Sequence, residues 1–227
     1  MIMSTYFFIN LAIISVPLLL SFEKRVFFFR KWPYVFSSIF IVGSVYVFWD
    51  ICASFLGHWS FNPQHVSGFK LFFLPWEEIL FFVTAPFSCL FIYEVICFFH
   101  KDKPFILPRG LMQAIIFFAL GSGVFFLGRD YTALSFFMVA FFLFVAMTYF
   151  SPVTGTQNFW IYLGVCYIPF SIFNGILTSL PVVSYNPYAI TGLRLGTIPV
   201  EDFFYNLAYL GLTLLVYKAF CFRAEKR

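Results

Sequence analysis

Acidic residues are few in this chain, and only twice do two stand side by side: Glu77-Glu78 and Glu201-Asp202. Each pair belongs to the same pattern, Pro75-Trp76-Glu77-Glu78 and Pro199-Val200-Glu201-Asp202. Upstream of each lie an Asn-Pro turn (Asn62-Pro63, Asn186-Pro187), a glycine (Gly68, Gly192) and a basic residue (Lys70, Arg194). Proline suits the first turn of a helix, where its missing N–H has no intrahelical partner, and acids just after it complement the positive helix end. The plainer reading is thus a well-capped helix start at a membrane surface. The chemical reading holds if segments 58–74 and 181–198 dip into the bilayer and bring up to four carboxyls near an apolar cavity. Carboxyls so placed cannot all ionise. A protonated acid beside a carboxylate is a proton donor and acceptor set, suited to acid–base work without a cofactor.

Other candidates carry less. Asp50 falls well inside an apolar segment, where an ionisable residue is expensive; it serves either a site or an interhelical hydrogen bond. Glu94, near Lys101, is expected to snorkel to the membrane surface. His58 and His65 flank the first motif loop without counterparts at the second, and are expected as interfacial loop residues. The five cysteines show no metal-ligand spacing and are expected to pack as small apolar groups. Most of the 38 phenylalanines must face lipid or fill the core, and a few on a site wall can stabilise a carbocation. Gly121-Ser122-Gly123 lacks the third glycine and the strand of a dinucleotide site.

The elements that must position these groups follow from composition. Of 227 residues, 62% are hydrophobic and 11% charged, so lipid must be part of the solvent. Seven runs are long enough for spanning helices: 3–22, 33–56, 77–99, 111–128, 132–150, 158–180 and 200–222. They are too long and too evenly apolar for barrel strands. With the N-terminus outside, all of the 14 Lys and Arg except Lys70, Arg129 and Arg194 fall on one side. The positive-inside rule makes that side cytoplasmic, giving an N-out, C-in cell-membrane protein. The same clustering excludes nucleic acid as a partner. The first run has neither a basic leader nor a cleavage site and is expected as a retained helix.

A shift of 124 residues aligns 61–83 with 185–207 without a gap. Asn62/Asn186, Pro63/Pro187, Gly68/Gly192, Leu71/Leu195, Pro75/Pro199 and Glu77/Glu201 are identical. Lys70/Arg194, Glu78/Asp202, Phe61/Tyr185 and Phe81/Tyr205 are among the close substitutions. The shift pairs Asp50 with Asn174, and it lays the second and third runs on the sixth and seventh and the first roughly on the fifth. The fourth run has no counterpart, and one extra crossing lets the second unit enter from the same side as the first. The expected architecture is an all-α membrane protein of two parallel three-helix repeats joined by a linker helix (3+1+3), with units at 1–100 and 131–227 and the linker at 101–130. A site is expected where the units face each other.

At these motifs the chain resembles the integral-membrane lycopene cyclases, in the form that fuses two small subunits. The resemblance rests on the two aligned segments, above all their Pro-X-acid-acid motifs, and on Asp50. It implies lycopene or another acyclic carotene as substrate, the bilayer as its solvent, other enzymes of carotenoid biosynthesis as partners, and no cofactor. It implies redox-neutral closure of β-ionone rings, with Glu77, Glu78, Glu201 and Asp202 as the acid–base set and Lys70 and Arg194 tuning their charge. The chain departs from strict duplication at Asp50/Asn174 and Glu78/Asp202, so the halves need not be equivalent. Rival expectations are a parallel 3+1+3 small-solute transporter and another carotenoid-binding or carotenoid-modifying membrane protein. A retinal photoreceptor is disfavoured because Lys218 lies near the end of the last run.

Overall fold

The computed structural model describes residues 4–225. Helix α1 spans Thr5–Leu20, α2 Trp32–Phe55, α3 Trp76–Phe99, α4 Arg109–Phe125 and α5 Asp130–Tyr149. A single turn, α6 (Ser151–Thr154), leads into α7 (Gln157–Ser179), and α8 runs Val200–Glu225. All seven expected runs are helical, with ends displaced by at most three residues. Met3 of the first run, and Lys226 and Arg227 of the basic C-terminal cluster, lie outside the described residues. Among the described residues, five helices are long and apolar enough to cross a membrane: α3, α5, α7, α8, and α2 continued from its preceding 3-10 turn at Phe28. Helices α1 and α4 are apolar but have 16 and 17 residues. At 1.5 Å per residue they reach about 24 and 26 Å, against a hydrocarbon core of about 30 Å.

The loops hold structure that hydrophobic periodicity did not announce. Strand β1 (Trp59–Phe61) pairs antiparallel with β4 (Val183–Tyr185), β2 (Lys70–Leu71) with β3 (Leu74–Pro75), and β5 (Arg194–Leu195) with β6 (Ile198–Pro199). The β1–β4 ladder sets Ser60 opposite Ser184, residues that the 124-residue shift superimposes. Asn62 N donates to Val182 O at 2.9 Å while Asn186 N donates to His58 O at 2.8 Å, which is the same bond made in both directions. Such reciprocal pairing is the mark of a two-fold contact. The helices obey it too: α1 packs on α3 as α5 packs on α8, and α2 crosses to α8 as α7 crosses to α3. Helix α4 packs on α5, outside this pattern.

Local chemistry explains the repeated loops. Asn62 Oδ1 accepts from Gln64 N, and Asn186 Oδ1 from Tyr188 N, both at 3.0 Å, so each Asn-Pro opens an Asx turn. Gly68 and Gly192 have φ of 85° and 84°, a conformation a side chain resists. The β2–β3 turn places Phe72 at φ 57°, where the second hairpin has Gly196 at 63°.

Two helix-interior prolines free carbonyls that neighbouring helices satisfy, as an apolar solvent demands. Pro17 in α1 frees Ile13 O, which accepts Ser88 Oγ of α3 at 2.9 Å. Pro86 in α3 frees Phe82 O, which accepts Tyr209 OH of α8 at 2.7 Å. Asn10, inside the apolar α1, binds Glu77 O at 3.0 Å and accepts from Thr84 Oγ1 at 2.7 Å. At the opposite end of the bundle Glu94 does not snorkel toward Lys101. It is buried, forms an ion pair with Lys31 and accepts Tyr217 OH at 2.6 Å. Its partners are Tyr217 of α8 and Lys31, the residue before α2, whose side chain is half-exposed.

Candidate active site

Both motif acids sit in the first turn of their helix. Pro75 is the N-cap of α3 with φ −57°, so Glu77 and Glu78 follow as the second and third helical residues. Successive helical residues point about 100° apart, and the two acids of each motif therefore meet different surroundings.

The first acid of each pair fastens the loop. Glu77 Oε1 accepts Ser4 Oγ at 2.6 Å and Ser67 N at 2.7 Å. Glu201 Oε1 accepts Thr132 Oγ1, Thr191 N and Thr191 Oγ1, each at 2.7 Å. Both residues are fully buried. Each thereby joins three elements: its own helix, the loop before it, and the start of α1 or α5.

The second acid of each pair faces a shared chamber. Glu78, Asp202 and Asp50 line one cavity of about 90 Å³ between the two halves. Glu78 Oε2 accepts Tyr6 OH at 2.5 Å. Asp202 accepts three donors: Tyr131 OH at 2.6 Å, Tyr185 OH at 2.7 Å and Asn174 Nδ2 at 2.8 Å. Burial, then the neighbouring Asp202, push the Tyr185 phenol well above its ordinary pKa, so it stays a donor. Asp50 lies in the last turns of α2, and its Oδ2 is buried with no hydrogen-bond partner among the described residues. Trp59, Phe81, Phe82 and Tyr205 supply aromatic wall, and Asn206 adds an amide one turn beyond Asp202.

Of the up to four motif carboxyls expected near an apolar cavity, Glu78 and Asp202 line it together with Asp50, while Glu77 and Glu201 are held by donors of the loops and of the α1 and α5 starts. The expected charge tuning by Lys70 and Arg194 finds no contact. Both are exposed, and neither pairs with a carboxylate among the described residues. Their place in two-residue hairpin strands carries the basic heads outward, and Arg194 instead donates to Thr197 O at 2.6 Å and lies over the Tyr185 ring. Asp50, from α2, and Asn174, from α7, both line the cavity. His58 lies in the loop after α2, packed within the protein, with Nε2 3.1 Å from the exposed Asp130 Oδ2. His65 Nδ1 lies 3.2 Å from Thr5 Oγ1.

Sequence reasoning missed the tyrosines that hold the acids. Tyr6 and Tyr131 occupy matching places, each donating its backbone N–H at 3.1 Å, to His65 O and Ala189 O, which stand 124 residues apart. A shift of 125 residues, one off the motif register, would have aligned them. Asn206 carried a simpler signal, since it sits four residues after Asp202 on the same helix face.

A family model described as lycopene cyclase matches residues 3–96 and again 128–220, so the chain carries its signature twice. No curated protein and no solved structure matches the chain. The two matched segments take in both motifs, Asp50 and Asn174, and cover most of the sequence. The chain belongs to the lycopene cyclase family, as an enzyme of carotenoid cyclisation built on membrane-spanning apolar helices.

Proposed function

We propose that the chain is a lycopene β-cyclase that closes rings by proton transfer between Glu78 and Asp202. The observation that carries this reading is that the second acid of each motif, one per half, lines a single chamber beside Asp50. The two halves differ in a way that divides the labour. Asp202 meets three donors, the environment of an ionised carboxylate. Glu78, half-buried, and the buried Asp50 are two carboxyls lining the same small chamber, and such a pair is stable there with a proton between them. Glu78 is the acid and Asp202 the base.

In this scheme Glu78 delivers a proton to C2 of the acyclic end group, leaving a tertiary cation at C1. The C5=C6 bond attacks C1, forming the C1–C6 bond and moving the cation to C5. Asp202 takes the C6 proton, and its electron pair restores the C5=C6 bond of a β-ring. One proton enters and one leaves, so no electrons are exchanged. Rings of Trp59, Phe81, Phe82 and Tyr205 face the space in which the cation travels, where attraction to aromatic faces is worth about 2 kcal/mol when desolvated. Transfer by a positioned acid or base contributes about 10²- to 10⁴-fold in rate.

Seven crossings fit this reading, with α1 and α4 included. Their shortness calls for local bilayer thinning, at fractions of a kcal/mol per Å. The basic residues put the site at the non-cytoplasmic end, N-out and C-in, and residues 1–100 and 131–227 act as parallel units joined through 101–130. Expression in lycopene-producing bacteria tests the function. Ring-bearing carotenes should replace lycopene in the pigment chromatogram, and unchanged lycopene with the protein present in the membrane overturns it.

A further inference from the structure

A second, larger cavity adjoins the carboxyl chamber. It has a volume of about 330 Å³, at the lower end of the range for ligand pockets, about 300–1,000 Å³. It lies among α1, α3, α7 and α8, and it shares Phe81, Phe170, Asn174 and Asn206 with the carboxyl chamber. Away from that junction its wall is almost wholly apolar. Ala12 and Ala85 keep it wide, and Pro17 contributes from the last turn of α1 and Pro169 from the middle of α7.

Two features give it a direction. Its polar lining sits at the end joined to the acids: Asn174 already donates to Asp202, and Asn206 stands at the junction. Its other end reaches the outside of the bundle, where the lining residue Val16 is 58% exposed among the lipid-facing residues of α1. Ser88 also lines the cavity, but its hydroxyl donates to Ile13 O and Thr84 O, so the wall leaves no free donor there.

We infer that this cavity is a lateral entrance from the bilayer, between α1 and α7, that holds the extended polyene of an acyclic carotene while its end group sits among Glu78, Asp50 and Asp202. The inference rests on the cyclase reading and adds the path by which the substrate enters. An occupant must be apolar along its length, narrow and unbranched enough to pass Ala12 and Ala85, and must reach a carboxyl chamber with a reactive end. A carotene meets all three conditions. The cavity is too small for the whole chain, so the far end stays in lipid and is not recognised. Only one end group is seated at a time, and a second ring requires the carotene to leave and re-enter the other way round.

Filling the entrance tests this. Ala12→Trp and Ala85→Trp should each lower ring formation at least tenfold at equal membrane content, with Ala85→Val falling between Ala85→Trp and wild type. Leu19→Trp, on the lipid-facing side of the same α1, should leave it unchanged. A second readout avoids the chemistry: Asp202→Asn purified from lycopene-containing membranes should retain lycopene, seen by its polyene absorption, and adding Ala85→Trp should remove it. Channel variants within twofold of wild type, or undiminished lycopene retention by the double variant, overturn the entrance. A wild-type protein that leaves lycopene unchanged overturns the cyclase reading itself.

Discussion

The split of each acidic pair makes a prediction that treating the four acids alike does not. Consider Asp202→Asn beside Glu201→Gln, adjacent residues changed in the same isosteric way. The Asp202 carboxylate receives two phenol donors and one amide donor. An asparagine offers one acceptor oxygen to these three donors and presents an NH2 to at least one of them. At least one buried donor then loses its partner, at about 1–3 kcal/mol. In the proposed scheme the proton acceptor is lost as well, worth about 10²- to 10⁴-fold, or about 3–5 kcal/mol of barrier. At Glu201 the three donors converge on Oε1, and Oε2 has no partner among the described residues. A glutamine oxygen still accepts there, so the change weakens charge-assisted bonds at about 1 kcal/mol each and lowers stability by about 2–3 kcal/mol. Membranes with matched protein content, incubated with lycopene and followed by pigment chromatography, should show Asp202→Asn reduced at least a hundredfold and Glu201→Gln within tenfold of wild type. The division of roles is refuted if Asp202→Asn keeps a tenth of wild-type activity, or if Glu201→Gln is folded yet as inactive as Asp202→Asn.

Tyr131→Phe or Tyr185→Phe each removes one donor to Asp202, and turnover should fall about 10- to 100-fold, since a hydrogen bond to a charged group is worth about 1.5–3 kcal/mol; initial rates in reconstituted vesicles check this. Phe72→Gly should raise the thermal midpoint, because a bulky residue in the left-handed region costs about 1–2 kcal/mol and Gly196 fills the matching place in the second hairpin. Lys31→Met leaves Glu94 with only the Tyr217 hydroxyl, and should destabilise the fold by about 1–3 kcal/mol in detergent unfolding without changing the products made by the folded fraction. A time course on lycopene should show the one-ring carotene before any two-ring product, as a single chamber requires.

The helices were legible because lipid removes most alternatives: an apolar run near 20 residues has one stable backbone form. Their order and the duplicated motif placed the site at one end of the bundle. What failed was direction. The 124-residue register shows that Glu77 matches Glu201, but neighbours 100° apart on a helix cannot be assigned to core or cavity without knowing what packs on each face. Lys70 and Arg194 misled for a related reason, since closeness along the chain says nothing once a hairpin turns the side chain outward. Glu94 misled because its partners, Lys31 and Tyr217, are distant in sequence while Lys101 is near. Tyr6 escaped because its match with Tyr131 is offset from the motif register by one residue. Ser60 and Ser184, by contrast, hold the offset to the residue, and the ladder between the halves pairs them.

The central claim is that a ring closes by one proton entering from a carboxyl and another leaving to a carboxylate. Incubation of the purified, reconstituted protein with lycopene in D2O, with no flavin or reductant added, tests it most directly. A carboxyl that exchanges with solvent must leave one deuterium at C2 of every ring formed. The account predicts cyclic products one mass unit heavier per ring, made at least a hundredfold more slowly by Glu78→Gln. Rings formed without deuterium, or formed at the wild-type rate by Glu78→Gln, contradict it.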